Sequence, residues 1–220
     1  MKKYLTIFAI AFVVLSHPVS SLAGQGGRHA NQESSEVSSY DLSTTEIEYL
    51  TFMREEEKLA RDVYLTLFER WGLPIFENIA ASEQSHTNAV AKMLAYYGLD
   101  DPFIYDNIGA FVNPELTGLY NFLVSENNDI DVDGDVDVMD ALYIGALIEE
   151  VDMEDIQYAI DATDHENIVE LYNTLMCGSR NHLRAYVGQI ENRGDVYEAQ
   201  VLSQEEVDAI VDSPMERRCR

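Results

Sequence analysis

The sequence predicts an all-α fold, a bundle of four long helices with one long crossover. Three observations predict it. Four segments carry apolar residues at helical spacing. No segment shows the two-residue alternation of a strand. Two helix hairpins are separated by a connection of about 40 residues, the outline of a bundle whose second and third long helices are joined by a crossover.

The chain opens with "MKKYLTIFAIAFVVLSHPVSSLAGQGG". Lys2 and Lys3 precede an apolar stretch too short to span a bilayer with ease, and Ser21-Leu22-Ala23 fits a small-x-small cleavage site. Residues 1–23 are therefore expected to be a signal peptide, and the protein secreted or periplasmic. Residues 24–42 are rich in Gly, Ser and Gln and read as a flexible leader. The folded part is expected over 43–212, with 213–220 as a tail.

Ser43 with Glu46 three residues later is a capping-box signal, and Gly72 and Pro74 are stops, so α1 is expected over 44–71. Pro74 opens α2, expected over 75–97 and closed by Gly98. Pro102 and Gly109 break the connection that follows. Within 113–128, "NPELTGLYNFLVSENN" offers a short helix, α3, with Pro114 in its first turn. α4 is expected over 138–160 and α5 over 164–192, and their short link makes them antiparallel neighbours. "LSQEEVDAIVD", residues 202–212, suggests a last short helix, α6, again with a capping box, from Ser203 and Glu206.

The apolar stripes carry charge. In α2, Phe76, Ile79, Val90, Leu94 and Tyr97 fall within about 40° of Glu83 on a helical wheel, and His86 lies about 60° to one side. In α1 the stripe of Phe52, Leu59, Ala60, Val63 and Leu67 centres on Glu56, with Glu55 on the wet side and Glu57 at the opposite edge. In α4 the stripe of Val138, Leu142, Gly145, Met153, Ile156 and Ile160 centres on Glu149, with Asp152 nearby and Glu150 out of phase. In α5 the stripe of Ile168, Leu171, Leu175, Gly178 and Tyr186 centres on His182. Gly145 and Gly178 remove bulk one turn before a polar residue.

Glu56, Glu83, Glu149 and Asp152 thus point inward together with His86 and His182. Four like charges in one core need compensation. Two divalent cations would balance them with both imidazoles neutral, and hard oxygen ligands with imidazole suit iron or manganese. Tyr186, one turn after His182, is a candidate hydrogen-bond donor to the ligands.

Four stretches, "MREEEKLARDVYLTLFERWG", "ASEQSHTNAV", "ALYIGALIEEVDMEDI" and "GSRNHLRAYV", resemble a ferritin-like family of bacteria and archaea known as a domain of unknown function. The resemblance runs over roughly residues 44–192 and implies a ferritin-like four-helix bundle with a dinuclear metal site, without a substrate. The wider ferritin-like pattern has one Glu on each of two helices and Glu-x-x-His on each of the other two. Glu56, Glu83 with His86, and Glu149 match it; Ser179 stands where α5 would carry its Glu, and Asp152 is a candidate replacement.

Residues 129–140, "DIDVDGDVDVMD", place Asp129, Asp131, Asp133, Asp135, Asp137 and Asp140 at positions 1, 3, 5, 7, 9 and 12, with Gly134 at 6. That is the spacing of an EF-hand calcium loop, with Asp in place of the closing Glu, as in the dockerin loops it resembles. Calcium there would fix the start of α4.

With 14 basic and 40 acidic residues the formal charge is -26, which repels nucleic acid and anionic lipid. No segment after the signal peptide is apolar enough to span a membrane. Two cysteines, Cys177 and Cys219, leave their pairing open. The function expected is therefore an exported di-iron or di-manganese protein reacting with oxygen or peroxide. No CxxC pair is present for a rubredoxin site, so the electron donor would be a separate protein. The alternative is a calcium-stabilised helical binding module with no redox activity.

Overall fold

The computed structural model describes residues 42–104, 106–125, 137–217 and 219. The signal segment, the leader up to residue 41 and positions 129–136 of the acidic loop lie outside the described residues. Among the described residues the regular elements are all helices: α1 (Thr44–Trp71), α2 (Pro74–Tyr96), α3 (Pro114–Leu123), α4 (Val138–Asp161), α5 (Glu166–Glu191) and α6 (Gln204–Val211). No helix there is long and apolar enough to cross a membrane.

Local chemistry sets the helix ends. Ser43 and Glu46 form the capping box of α1: the Ser43 N–H donates to Glu46 Oε2 at 2.7 Å and the Glu46 N–H to Ser43 Oγ at 3.2 Å. Gly72 ends α1 at φ 66°, a left-handed conformation in which an L side chain is strained, and its N–H donates to the Phe68 carbonyl at 2.8 Å. Pro74 opens α2, where its missing N–H costs nothing. Ser203 and Glu206 repeat the capping box at α6.

α4 begins with a third capping box, made by two residues of the acidic loop. The Asp137 carboxylate accepts from the Met139 N–H at 2.5 Å, and the Asp137 N–H donates to Asp140 Oδ2 at 3.0 Å. The two acids that close the EF-hand-like spacing thus also start the helix that follows it.

The four long helices pack as a bundle. α1 pairs with α2 and α4 with α5, each across a short link that makes the partners antiparallel; α1 also packs on α4, and α2 on α5. Leu50, Met53, Val63, Phe76, Val90, Leu94, Leu142, Ile156, Ile168, Leu175 and Leu183 fill the interior with no exposed surface or nearly none. Each such side chain contributes about 1.5–3 kcal/mol relative to exposure.

α1 is covered on its outer side as well, by the crossover and α3. Arg54 clamps Asp101 with two bonds of 3.0 Å. Lys58 donates to Asp62 at 2.5 Å and to the Asn107 carbonyl at 3.0 Å. Arg61 reaches Asp62 and Asp106, at 2.8 and 2.9 Å. The rings of Phe103 and Phe111 lie against these cations, 4.4 Å from Arg54 and 4.5 Å from Lys58 respectively. Glu55, expected on the wet side, is instead 4% exposed and accepts from the N–H groups of Val112 and Asn113 at 2.6 and 2.9 Å. The wheel misplaced it because the crossover supplies a second buried face that no local period announces.

The same correction applies to Glu150. It is out of phase with the α4 stripe yet fully buried. Its carboxylate accepts from the Tyr197 hydroxyl at 2.5 Å and from the N–H groups of Gln200, Val201 and Leu202 at 3.0, 2.7 and 2.8 Å. One side chain thus gathers the loop before α6.

From α5, the Arg184 side chain donates to the Ile210 carbonyl in the last turn of α6 at 2.7 Å. Arg180 holds Glu216 with two bonds of 2.7 Å. A disulfide joins Cys177 on α5 to Cys219, which resolves the pairing that the sequence leaves open.

Replacing Glu150 by Ala orphans several buried donors and should destabilise the protein by about 3 kcal/mol. A melting temperature lowered by roughly 5–10 °C is expected in calorimetry. Glu154→Ala, on the same helix and only part-buried, should change it little.

Candidate metal centre

Glu83 sits at the middle of the bundle, 2% exposed, with one imidazole on each of its oxygens. Its Oε2 is 2.7 Å from His86 Nδ1, one turn along α2, and its Oε1 is 2.7 Å from His182 Nδ1 on α5. The two rings stack with centroids 5.6 Å apart. Each imidazole meets a second carboxylate: His86 Nδ1 is 3.2 Å from Glu57 Oε2 on α1, and His182 Nδ1 is 3.4 Å from Glu149 Oε2 on α4.

Two three-residue groups result, Glu57–Glu83–His86 and Glu83–Glu149–His182, with the ligand atoms of each lying within 4.8 Å of one another. Glu83 belongs to both. Glu57 Oε1, Glu83 Oε1 and His182 Nδ1 are buried and have no hydrogen bond of good geometry, although the last two are close. Polar atoms buried in this way carry a desolvation penalty that a bound cation would remove.

Surrounding groups orient the set. The Tyr64 hydroxyl donates to Glu149 Oε1 at 2.5 Å, and His182 Nε2 is 2.9 Å from Ser82 Oγ. Ser179 donates to Asp152 Oδ2 at 2.5 Å. Gly178 is required by close approach, because a Cβ there would overlap the His86 ring. The space left by Gly145 is taken by the ring of Tyr186, which is fully buried against Tyr64 and Phe76. The Tyr186 hydroxyl lies near Tyr64 without a well-directed hydrogen bond. The tyrosine that donates to a carboxylate of these groups is thus Tyr64 rather than Tyr186.

The electrostatics follow from crowding. Burial raises the Glu57 carboxyl to about 7; the His86 charge opposes that rise and Glu83 adds to it. Burial lowers the imidazole affinity of His182 for a proton, but Glu83 and Glu149 outweigh it and hold the ring up to about 10. His86 is raised in the same way by Glu83 and Glu57. For Glu83, burial pushes upward and the two imidazoles more than reverse it, so it stays ionised. Burial and neighbouring carboxylates raise Asp152, and burial raises Glu149. Crowding thus favours protons on Glu57, Asp152, His86 and His182, while Glu83 keeps its charge.

The structure brings together Glu83, His86, Glu149 and His182, as the stripes suggest. It adds Glu57, which the wheel left at the edge of its stripe, and leaves Glu56 out of both groups. Glu56 faces Asp155 and Asp152 instead. Asp152 belongs to neither group, but Glu57, Glu149 and Glu83 are all among its charged neighbours, and it accepts from the Ser179 hydroxyl. Because α1 is buried nearly all round, its apolar stripe does not mark which of the consecutive residues 56 and 57 faces α2. Of the six aspartates of the acidic loop, Asp137 and Asp140 lie among the described residues.

Residues 46–214 match the family described as "Uncharacterized protein domain (DUF2202)". The chain is 48% identical over 176 residues to "Uncharacterized protein MJ0754" of Methanocaldococcus jannaschii, covering 80% of this chain and 91% of that protein. The crystal structure titled as hypothetical protein MJ0754 from Methanococcus jannaschii DSM 2661 is also similar. It has a TM-score of 0.74 and 44% identity, and covers 90% of this chain and all of that one. With most of its folded part matched, the chain belongs to the DUF2202 family of uncharacterized protein domains.

Proposed function

We propose that this chain is an exported, ferritin-like metalloprotein that holds two iron or manganese ions in its helical bundle and reacts there with oxygen or peroxide. The observation that carries the reading is Glu83, shared between two histidine–carboxylate groups with a different imidazole on each oxygen. A carboxylate so placed suits a bridge between two cations. Glu57 and His86 would complete one position, and Glu149 and His182 the other, with Asp152 beside both. The donor set is oxygen-rich with one imidazole per ion, the composition expected for iron or manganese.

An ion pair of this kind supplies electron exchange with oxygen or peroxide. The chain's own residues do the rest. Tyr64 fixes the Glu149 carboxylate, and Ser82 fixes the distal nitrogen of His182. Asp152, held by the Ser179 hydroxyl, would supply the carboxylate that a second Glu-x-x-His motif would otherwise bring. Metal loading has to displace the protons that the crowded site retains.

The acidic loop is the second part of the proposal: calcium held by Asp129, Asp131, Asp133, Asp135, Asp137 and Asp140 steadies the start of α4. The loop's spacing supports it, and so does the position of Asp137 and Asp140 at the head of the helix that carries Glu149 and Asp152. A protein that bound calcium but no core metal would instead be a helical binding module without redox activity.

Elemental analysis of protein purified without chelator should find about two iron or manganese ions per chain. Glu83→Ala/His86→Ala should remove them while the helical circular dichroism persists; retention of both ions would sink the centre.

The chelated protein should lose stability as pH rises. The folded state keeps protons on His182 up to about 10, on Glu57 up to about 7 and on Asp155 up to about 6, and the unfolded chain releases them earlier. These contributions are complete below the unfolded values and are lost through those folded ones. Melting temperatures without metal should therefore fall between pH 5 and 9, and manganese should restore most at the alkaline end.

Calcium should raise the melting temperature, by the equivalent of roughly 2.7 kcal/mol at a hundredfold excess over its dissociation constant. Magnesium should do so poorly. A melting temperature indifferent to calcium would leave the loop an acidic linker.

A further inference from the structure

The bundle is laced shut around the centre on three of its four seams. Between α1 and α2, Arg61 bonds Gln84 and Arg54 bonds Thr87. Between α1 and α4, Tyr64 donates to Glu149 at 2.5 Å, and between α4 and α5, Ser179 donates to Asp152. The outer side of α1 lies under the crossover, and Glu150 holds the loop before α6 against α4. The seam between α2 and α5 is different. Outward of the two imidazoles it is bridged by Ser82, whose Oγ is 2.9 Å from His182 Nε2. Ser82 is half-buried, and Ala81 and Ser85 beside it are exposed.

The imidazoles register the thin wall. The side chains of Glu57, Glu83 and Glu149 are 1%, 3% and 2% exposed, whereas those of His86 and His182 are each 10% exposed. Both rings turn Nδ1 inward to Glu83, so the surface that meets solvent belongs to their outer edges. His86 Nε2 lies against Gly178, where a Cβ would overlap it. Among the described residues that nitrogen has no hydrogen-bond partner. A polar atom left without a partner in a residue this buried is uncommon.

The wall is also small and neutral. Ser82 on α2, with Gly178 and Ala185 on one face of α5, carry no charge and little bulk. A charged species would have to shed water to pass there, which is costly. A neutral molecule of a few atoms would not. One that both donates and accepts hydrogen bonds would find the Ser82 hydroxyl and His86 Nε2.

We propose that the α2–α5 seam beside Ser82 and Gly178 is the entry by which a small neutral oxidant of the hydrogen peroxide type reaches the outer edges of His86 and His182. The opening stands on the exposure of the two rings and on the unpartnered nitrogen; its use by an oxidant rests on the dinuclear reading above.

Both native cysteines are joined, so Ser82→Cys adds a lone reactive thiol to the full chain. Its labelling is followed by mass spectrometry with methyl methanethiosulfonate, which is small and neutral, and with the sulfonatoethyl reagent, which is larger and charged. Ser85→Cys, on the exposed surface of α2, is the reference for each reagent. The thiol at position 82 should take the neutral reagent readily and the charged one at least several-fold more slowly, relative to that reference. In protein loaded with ferrous ion and then methylthiolated at position 82, the absorbance change on adding hydrogen peroxide should be several-fold slower per bound iron than in the unlabelled variant. A position-82 thiol inert to the neutral reagent overturns the opening. Labelling without slower oxidation overturns the seam as the entry and leaves the centre standing. A wild type that binds no iron overturns the dinuclear reading and the oxidant with it, while the labelling still decides the opening. Should circular dichroism show Ser82→Cys misfolded, Ala185→Cys, half-buried on the face of α5 that carries Gly178, takes its place with the same expectations.

Discussion

The structure depends on one constraint, the burial of like charges where four helices meet. Glu57, Glu83, Glu149 and Asp152 occupy the interior of a bundle where, among the described residues, two imidazoles, His86 and His182, stand beside them. An apolar substitute for each would pack at lower cost. The surrounding design makes sense only if the charges have work to do. Gly178 withholds a side chain so that an imidazole can stand at Glu83, and Tyr64 spends its hydroxyl on Glu149.

The crossover belongs to the same design. A helix with acids facing the bundle and a further set of charges on its back has no apolar stripe wide enough to fix its rotation. α1 is fixed instead from outside. Arg54, Lys58, Arg61 and Glu55 are each tied to the connection between α2 and α4, by side chains, by backbone groups or by both. These contacts hold α1 in the rotation that presents Glu57 to His86 and Glu56 to Asp155. The exterior network positions the interior one.

What the sequence revealed follows the range of the forces. Helix ends were legible because capping is local: Ser43 with Glu46, Ser203 with Glu206 and Pro74 act within one turn. The inward direction of Glu83, His86, Glu149 and His182 was legible because α2, α4 and α5 have stripes that define a face. Residues whose partners lie far along the chain were not. Glu55 and Glu150 looked solvated because their partners are backbone N–H groups of loops, which leave no periodic trace. Glu57 was passed over for Glu56 because a helix buried on nearly every side gives the wheel no contrast. That Ser179 departs from the Glu-x-x-His pattern was visible, but the bond that joins Ser179 to Asp152 is a matter of packing between helices.

The bond between Cys177 and Cys219 acts on a state that the folded structure does not display. It joins residues 42 positions apart, so the unfolded chain is left with a closed ring from α5 to the tail. Loop-closure entropy alone assigns about 4 kcal/mol to such a ring, removed from the freedom of the disordered ensemble. The ring contains His182, α6 and the loop gathered by Glu150. These parts can still unfold, but they cannot drift away from the turn that carries Gly178 and Ser179. Each return to the folded state therefore starts with the last fifth of the chain already held near the segment that carries His182.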